Sequence, residues 1–224
     1  MKRQALVIGL GQFGLALARS LSASGVEVLA VDVLPERVQV AADAVSQAIC
    51  CDAMDEEALA RTAPASRDIC VCAIGDEGRE AAIIVTTLLR QLGAERVIAR
   101  AGDELLERIL RLVGAHEVVN PDKAFGERLA RRLLYQGILE EVPLGEDLVM
   151  SEVRVPPALV GHRLAELELP RRYGLTVLAV RRLDERGHSR VERPLADTRL
   201  GAGDIAIVVA KPGASQRLME RLGE

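Results

Sequence analysis

Ala5-Leu6-Val7-Ile8-Gly9-Leu10-Gly11-Gln12-Phe13-Gly14, followed by Val28-Leu29-Ala30-Val31-Asp32, decides how this chain is read. An apolar strand turns through Gly9, Gly11 and Gly14 into a helix rich in Ala and Leu over 15–21. A second apolar strand then ends in a carboxylate. In a G-x-G-x-x-G pattern the glycines allow a tight turn, backbone approach to a phosphate and close packing of helix on strand. The helix start adds free N–H groups and a partial positive charge. Asp32 follows the last glycine by 32 − 14 = 18 positions, close to the spacing of about 20 at which an acid accepts ribose hydroxyls. An acid there disfavours a 2′-phosphate, so NAD or an adenosine nucleotide suits the pattern better than NADP. Two plainer readings share these residues: a glycine turn kept for packing, and a solvated strand-end Asp32.

The chain has 224 residues, enough for one or two domains with a sizeable core. A net charge of −4 gives no basic footprint for nucleic acid. Trp is absent and only two Phe and two Tyr occur, which leaves no stacking platform for bases. No nucleic-acid partner is expected. The longest apolar run, 81–89, contains two Thr and falls well short of the roughly 20 residues of a membrane span. The Met1-Lys2-Arg3 start runs too quickly into the glycine turn for a signal peptide. A cytoplasmic, soluble protein is the expectation, with docking to a membrane partner left open.

Strands and helices alternate over the first 120 or so residues, the pattern of a parallel doubly wound sheet. Expected strands lie at 48–51, 68–75, 96–100 and 117–119, and expected helices open at Pro35, Asp55, Glu77 and Asp103. Ligands of such sheets sit beyond the carboxyl ends of the strands, where Asp32, Asp52, Ala73-Ile74-Gly75, Arg100 and Asp122 all fall. Each of these polar residues taken singly also suits an ordinary loop start. A helix over 121–139 carries Phe125, Leu129, Leu133, Leu134 and Ile138 as an apolar stripe, fit either for its own sheet or for a second subunit. The acidic stretch 140–147, with Pro143 and Gly145, reads as a linker. Beyond it come a strand over 148–155, one short helix over 164–172, strands over 175–180 and 205–210, and a helix over 215–222. The division is therefore a nucleotide-binding domain with crossover helix at 1–139, a linker at 140–147 and a small α+β domain at 148–224.

Cys50, Cys51, Cys70 and Cys72 all fall on expected strands. In the order 3-2-1-4 the two cysteine-bearing strands stand roughly 14 Å apart, too far for a disulfide. Buried free thiols are expected, with a metal or redox site as the alternative.

Several segments together resemble the RCK N-terminal (TrkA-N) domain in order and spacing. They are Gly9-Leu10-Gly11-Gln12-Phe13-Gly14, Val31-Asp32, Asp52-Ala53, Ala73-Ile74-Gly75, 97–101 and Asn120-Pro121-Asp122-Lys123-Ala124-Phe125-Gly126. Residues 160–167, 173–180 and Gly203-Asp204-Ile205 resemble the RCK C-terminal (TrkA-C) domain. The likeness spans essentially the whole chain and is strongest to KtrA/TrkA-type regulatory subunits of potassium uptake systems. It implies a cytosolic protein that is not an enzyme. Such a protein forms a dimer-based homo-oligomeric ring, often an octamer, and docks on a membrane potassium-translocating subunit (KtrB/TrkH-like) at the inner face of the membrane. Exchange of ATP, ADP or NAD(H) would change the ring and gate that partner. By resemblance, Gly9, Leu10, Gly11, Gln12, Phe13 and Gly14 form the phosphate turn, and Asp32 with Val33 holds the ribose. Asp52, Ala53, Ala73, Ile74 and Gly75 line the adenine side, and Arg100 approaches from the next strand. Asp122 stands where the family places an acid near a divalent cation at the terminal phosphate.

Two departures bear on the ligand. ATP-preferring relatives resemble G-x-G-R-F-G, and here the arginine's place is taken by neutral Gln12. The related Pro-Glu-Lys motif is Pro121-Asp122-Lys123, with a shorter carboxylate. Losing a charge-assisted contact weakens ATP discrimination, so NAD(H), ADP and AMP stay candidates. A cyclic dinucleotide in the second domain is not implied, because Pro170 occupies the position of the arginine used for it. The competing function is an NAD-dependent oxidoreductase, but His116, His162 and His188 form no recognisable acid-base set. A third reading, redox sensing through the cysteines, conflicts with their expected burial.

Overall fold

The computed structural model describes residues 2–183 and 189–222; His188 lies outside them. The chain forms two compact units, 1–124 and 125–224. In the first, β1 (Gln4–Ile8), β2 (Glu27–Asp32), β3 (Gln47–Cys50), β4 (Ile69–Cys72), β5 (Val97–Arg100) and β6 (Glu117–Val119) make one sheet. Its order is β3-β2-β1-β4-β5-β6 and all pairs are parallel. This is the doubly wound sheet expected from the alternation, with its crevice where the order reverses between β1 and β4.

Central strands read as unbroken apolar runs because both faces are covered. From β1, Val7 packs with Leu10, Ala18, Val28 and Ala30 on the side of α1 (Gln12–Ala23) and α2 (Pro35–Ala42). Leu6 and Ile8 point the other way, into a core with Leu59, Val85, Leu89, Leu106 and Leu110. These come from α3 (Glu56–Ala60), α4 (Arg79–Gln91) and α5 (Glu104–Leu112). Capping is local and legible. The Asp55 carboxylate accepts from the N–H groups of Glu57 and Ala58, and that of Asp103 accepts from Leu106 N–H at 2.8 Å.

The helix α6 (Pro121–Leu134) straddles the division between the units, and it is shorter than the expected 121–139. Gly137 (φ +89°) follows it, and Ile138 opens a strand instead of extending the apolar stripe. The strand is β7 (Ile138–Pro143), paired antiparallel with β8 (Val149–Arg154), and Leu144 N–H closes the turn on Leu148 C=O at 2.9 Å. The stretch 140–147 is therefore a hairpin rather than a linker. Its acids and Pro143 fit because β7 is an edge strand, where a missing N–H and charged side chains are tolerated.

The second unit is a five-stranded antiparallel sheet, β10-β9-β11-β8-β7, with β9 (Leu175–Leu183), β10 (Ser189–Glu192) and β11 (Ile205–Ala210). In β8, Val149, Ser151 and Val153 are buried and alternate with less buried neighbours, as the sequence pattern requires. They face α9 (Ala214–Leu222), and the core gathers Val153, Leu175, Val180, Val208 and Leu218. The one helix expected over 164–172 is two, α7 (Leu164–Leu167) and α8 (Leu169–Tyr173), broken at left-handed Glu168 (φ 44°). Pro170 lacks the N–H that would bond back to Glu166, and its ring would crowd that carbonyl.

Gly14 in α1 packs so tightly on β1 that a Cβ there would lie far inside contact with the Gly9 carbonyl oxygen. Gly14→Ala should therefore destabilise the fold by about 2 to 3 kcal/mol. Chemical denaturation followed by circular dichroism measures this, and an unchanged midpoint would contradict the contact.

Candidate functional site

A cleft of about 710 Å³ opens beyond the carboxyl ends of β1 to β5. Its floor is the glycine turn. Gly9 leaves β1 at φ +91°, with its N–H on Val31 C=O at 2.8 Å, and a Cβ there would press on the backbone of Ala73 and Ile74. Gly11 is the N-cap of α1 and brings no side-chain cap, and the first turn of α1 has no acid. A Cβ on Gly11 would meet nothing within 4 Å, so its hydrogen faces open cleft. The start of α1 thus offers N–H groups and the positive end of the helix dipole to an anion.

Asp32 ends β2 and is 5% exposed. Its Oδ2 accepts from Leu10 N–H at 2.6 Å and its Oδ1 from Leu34 N–H at 2.9 Å, while an Arg37 guanidinium nitrogen stands 3.6 Å from Oδ2. The carboxylate therefore ties the glycine turn to the β2–α2 loop before any ligand enters. A carboxylate has about four acceptor sites, so capacity remains for a hydroxyl on the cleft side. Ala53 follows β3 next to β2, Ala73, Ile74 and Gly75 follow β4 on the other side of β1, and Asp52 caps Met54 N–H at 2.9 Å. Arg100 projects in from the end of β5. Its guanidinium carbon lies 5.8 Å from the centroid of the Phe13 ring, and its Nη2 donates to Asp122 Oδ2 at 2.9 Å.

Of the residues singled out by sequence, Gly9, Gly11, Asp32, Val33, Asp52, Ala53, Ala73, Ile74, Gly75 and Arg100 line this one cleft. Leu10 and Gly14 are buried beneath it, Phe13 packs under Arg100, and Gln12 is exposed outside the lining. Asp122 also lies outside the lining. A guanidinium already holds its carboxylate, and among the described residues no three His, Cys, Asp or Glu side chains converge. Sequence reasoning missed Arg37, Cys51 and Glu77 as lining residues. The signal for Arg37 was its place in the first turn of a helix that starts three positions after Asp32.

The cysteines divide differently from the expectation. Cys70 and Cys72 in β4 are buried, but Cys51 is only half-buried and lines the cleft, and Cys50 is exposed with its Sγ 3.5 Å from Val33 C=O. Cys50 is the last residue of β3, and the edge position of that strand leaves it uncovered, whereas Cys51 follows the strand at its cleft end. Burial pushes the Cys70 thiol up to about 12, against a small opposing pull from Arg67. Burial likewise raises Cys72 to about 11, against hydrogen bonds from the Ile74 backbone and Thr86. Cys51 is raised by burial first, then by Cys50, Asp52 and Asp55.

Residues 5–121 match the TrkA-N domain and residues 148–223 the TrkA-C domain. The chain belongs to the TrkA-N/TrkA-C (RCK) family. It is 37% identical to the Ktr system potassium uptake protein A of Vibrio alginolyticus, over 98% of this chain and 96% of that protein. It is 30% identical to the Ktr system potassium uptake protein C of Bacillus subtilis, over 99% of this chain and 98% of the relative. Homology to these subunits thus runs over nearly its full length. Among solved structures, the GsuK channel superposes with a TM-score of 0.70 at 20% identity, covering 100% of this chain and 40% of that one. A GsuK channel bound to NAD gives 0.68 at 19%, with the same coverage. This chain spans less than half the length of those channel chains, and the likeness to them is one of fold. Among the described residues no helix is long and apolar enough to cross a membrane.

Native thiol titration checks the cleft geometry. Cys50 should react first and Cys51 more slowly, with protection when the cleft is filled. Cys70 and Cys72 should react only on unfolding, since at pH 8 a thiol near 11 is roughly one part in a thousand thiolate. Rapid labelling of all four in the folded protein would contradict this burial.

Proposed function

We propose that this chain is the nucleotide-sensing regulatory subunit of a potassium uptake system, and that ligand exchange in the cleft changes the shape of an assembly that gates a membrane partner. The observation that carries the reading is the likeness to the Ktr subunits over nearly the whole of both chains. The partner is a membrane potassium-translocating subunit of the KtrB/TrkH type, and the protein sits on the inner face of the membrane through it. A ring built from dimers, of octamer size, is the assembly. In support, Phe125, Leu133 and Leu134 on α6 are 64, 71 and 73% exposed in the single chain, an apolar set of the kind subunit contacts use.

The ligand is an adenine nucleotide, NAD(H) or ATP/ADP. Its phosphates lie on the Gly9–Gly14 turn at the α1 start, its ribose on Asp32 beside Val33, and its adenine among Asp52, Ala53, Ala73, Ile74 and Gly75. Arg100 faces the phosphates. The cleft has the size of a small-molecule site. The solved GsuK relatives include one bound to NAD and one bound to ADP, which favours this ligand class. Its function is binding, not turnover. The described cleft wall contributes no His, Lys, Tyr or Ser, so a dehydrogenase would have to find its proton carrier among Asp32, Cys51, Asp52 and Glu77. A ligand acts here only by binding one assembly shape more tightly than another.

Gly11→Val separates the ligand from the fold, because a Cβ at this position points into open cleft and meets no heavy atom within 4 Å. It should leave the unfolding midpoint close to the parent's and weaken ADP and NAD binding at least about tenfold by calorimetry. Unchanged affinity would remove the phosphates from the glycine turn. Mass spectrometry of the natively purified protein then identifies which nucleotide it carries.

A further inference from the structure

We propose that Asp122 sets ligand specificity by competing with nucleotide phosphates for the Arg100 guanidinium, so that the cleft weighs its ligands by negative charge. The inference rests on reading the cleft as a nucleotide site. Five charged side chains besides Arg100 bear on it. Asp32, Asp52 and Glu77 line the cleft as carboxylates, Arg37 lines it as a cation already beside Asp32, and Asp122 stands outside the lining. Arg100 is thus the lining cation whose counter-ion lies outside the cleft.

The two partners are held unequally. The Arg100 side chain is 18% exposed and that of Asp122 is 73% exposed. The Phe13 ring lies against the guanidinium at 5.8 Å, and Gly75 leaves room beside Nη1, 3.5 Å from where a Cβ would be. The arginine is therefore fixed in the wall while the carboxylate is free to swing into water. Among the described residues the single hydrogen bond from Arg100 goes to Asp122, and its buried Nε has no protein partner. A guanidinium carries five N–H donors in a planar fork that matches phosphate oxygens, and most of that capacity here is unspent.

A phosphate drawn to that fork meets a cation whose charge Asp122 already neutralises, and it must share or displace the carboxylate. The competition grows with the charge the ligand brings near Arg100 and vanishes for adenosine. The sequence supplies the comparison. With Gln12 neutral at the glycine turn, the charge reading falls to Arg100 and its external counter-ion. Asp122 stands in the first turn of α6, where Asn120 caps Lys123 N–H at 3.0 Å and donates to Gly102 C=O at 3.1 Å. That helix start therefore stays anchored when the carboxylate lets go.

The test is calorimetry of adenosine, AMP, ADP and ATP, without divalent cations, on the full chain and on Asp122→Asn, Arg100→Gln and the double variant. Asp122→Asn should tighten ADP by about threefold to fivefold, the worth of a partly exposed ion pair. ATP should gain more, AMP less, and adenosine should stay unchanged. In the Arg100→Gln background the gain should disappear, and Arg100→Met replaces that variant if its circular dichroism departs from the parent's. Weaker ADP binding by Asp122→Asn, an equal gain for adenosine, or a gain that persists without Arg100 each overturns the proposal while leaving the nucleotide reading intact. Failure of the parent chain to bind any of the four overturns both.

Discussion

The approach of Gly14 to the Gly9 carbonyl governs the first unit. It sets α1 against β1 at a distance no side chain would allow, and so fixes where the positive end of the helix points. Everything placed around the cleft follows from that direction. Gly9 must turn at positive φ to leave the strand, and its own hydrogen packs on Ala73 and Ile74. The same turn thereby docks β1 against the end of β4, across the point where the strand order reverses.

Asp32 supplies the second fastening. Two backbone N–H donors, twenty-four residues apart at Leu10 and Leu34, converge on one carboxylate. Hydrogen bonds to a charged acceptor contribute more than neutral ones, so the acid steadies both loops in the free chain. Preorganisation of this kind limits the ordering cost of binding. Elsewhere in the unit carboxylates do similar work: Asp55 and Asp103 cap helices, and Arg79 pairs with Asp103. The rigid elements end in the site, and the loops that complete it are pinned by carboxylates.

Most of the first unit was legible because its signals are local. Apolar runs, glycine spacing and capping acids reported six strands, the fold class they define gave the order of the first four, and strand ends such as Asp32, Ala73 and Arg100 line one cleft. What escaped depends on contacts made across the sheet. Cys51 enters the cleft only because of where the end of β3 is placed, and nothing in its neighbours announces it, whereas Arg37 could have been found from its place in the first turn of α2. Cys50 is bare because β3 is an edge strand, a fact of topology. In the second unit Glu140 and Glu141 disguised β7, since an edge strand need not look apolar, and Ser189-Arg190-Val191-Glu192 hid β10 for the same reason. The break at Glu168 was written in Pro170, whose missing N–H ends the preceding turn.

The exposed apolar residues of α6 would make protein concentration a thermodynamic variable for a chain that associates through them. Three large apolar side chains in water cost free energy that any self-association covering them would recover, in proportion to the area removed from solvent. Such an association would couple folding to assembly by mass action, and apparent thermal stability would then rise with the amount of protein present. Dilution would then act as a mild denaturant, and a partner that caps the face would act as a stabiliser without touching the cleft.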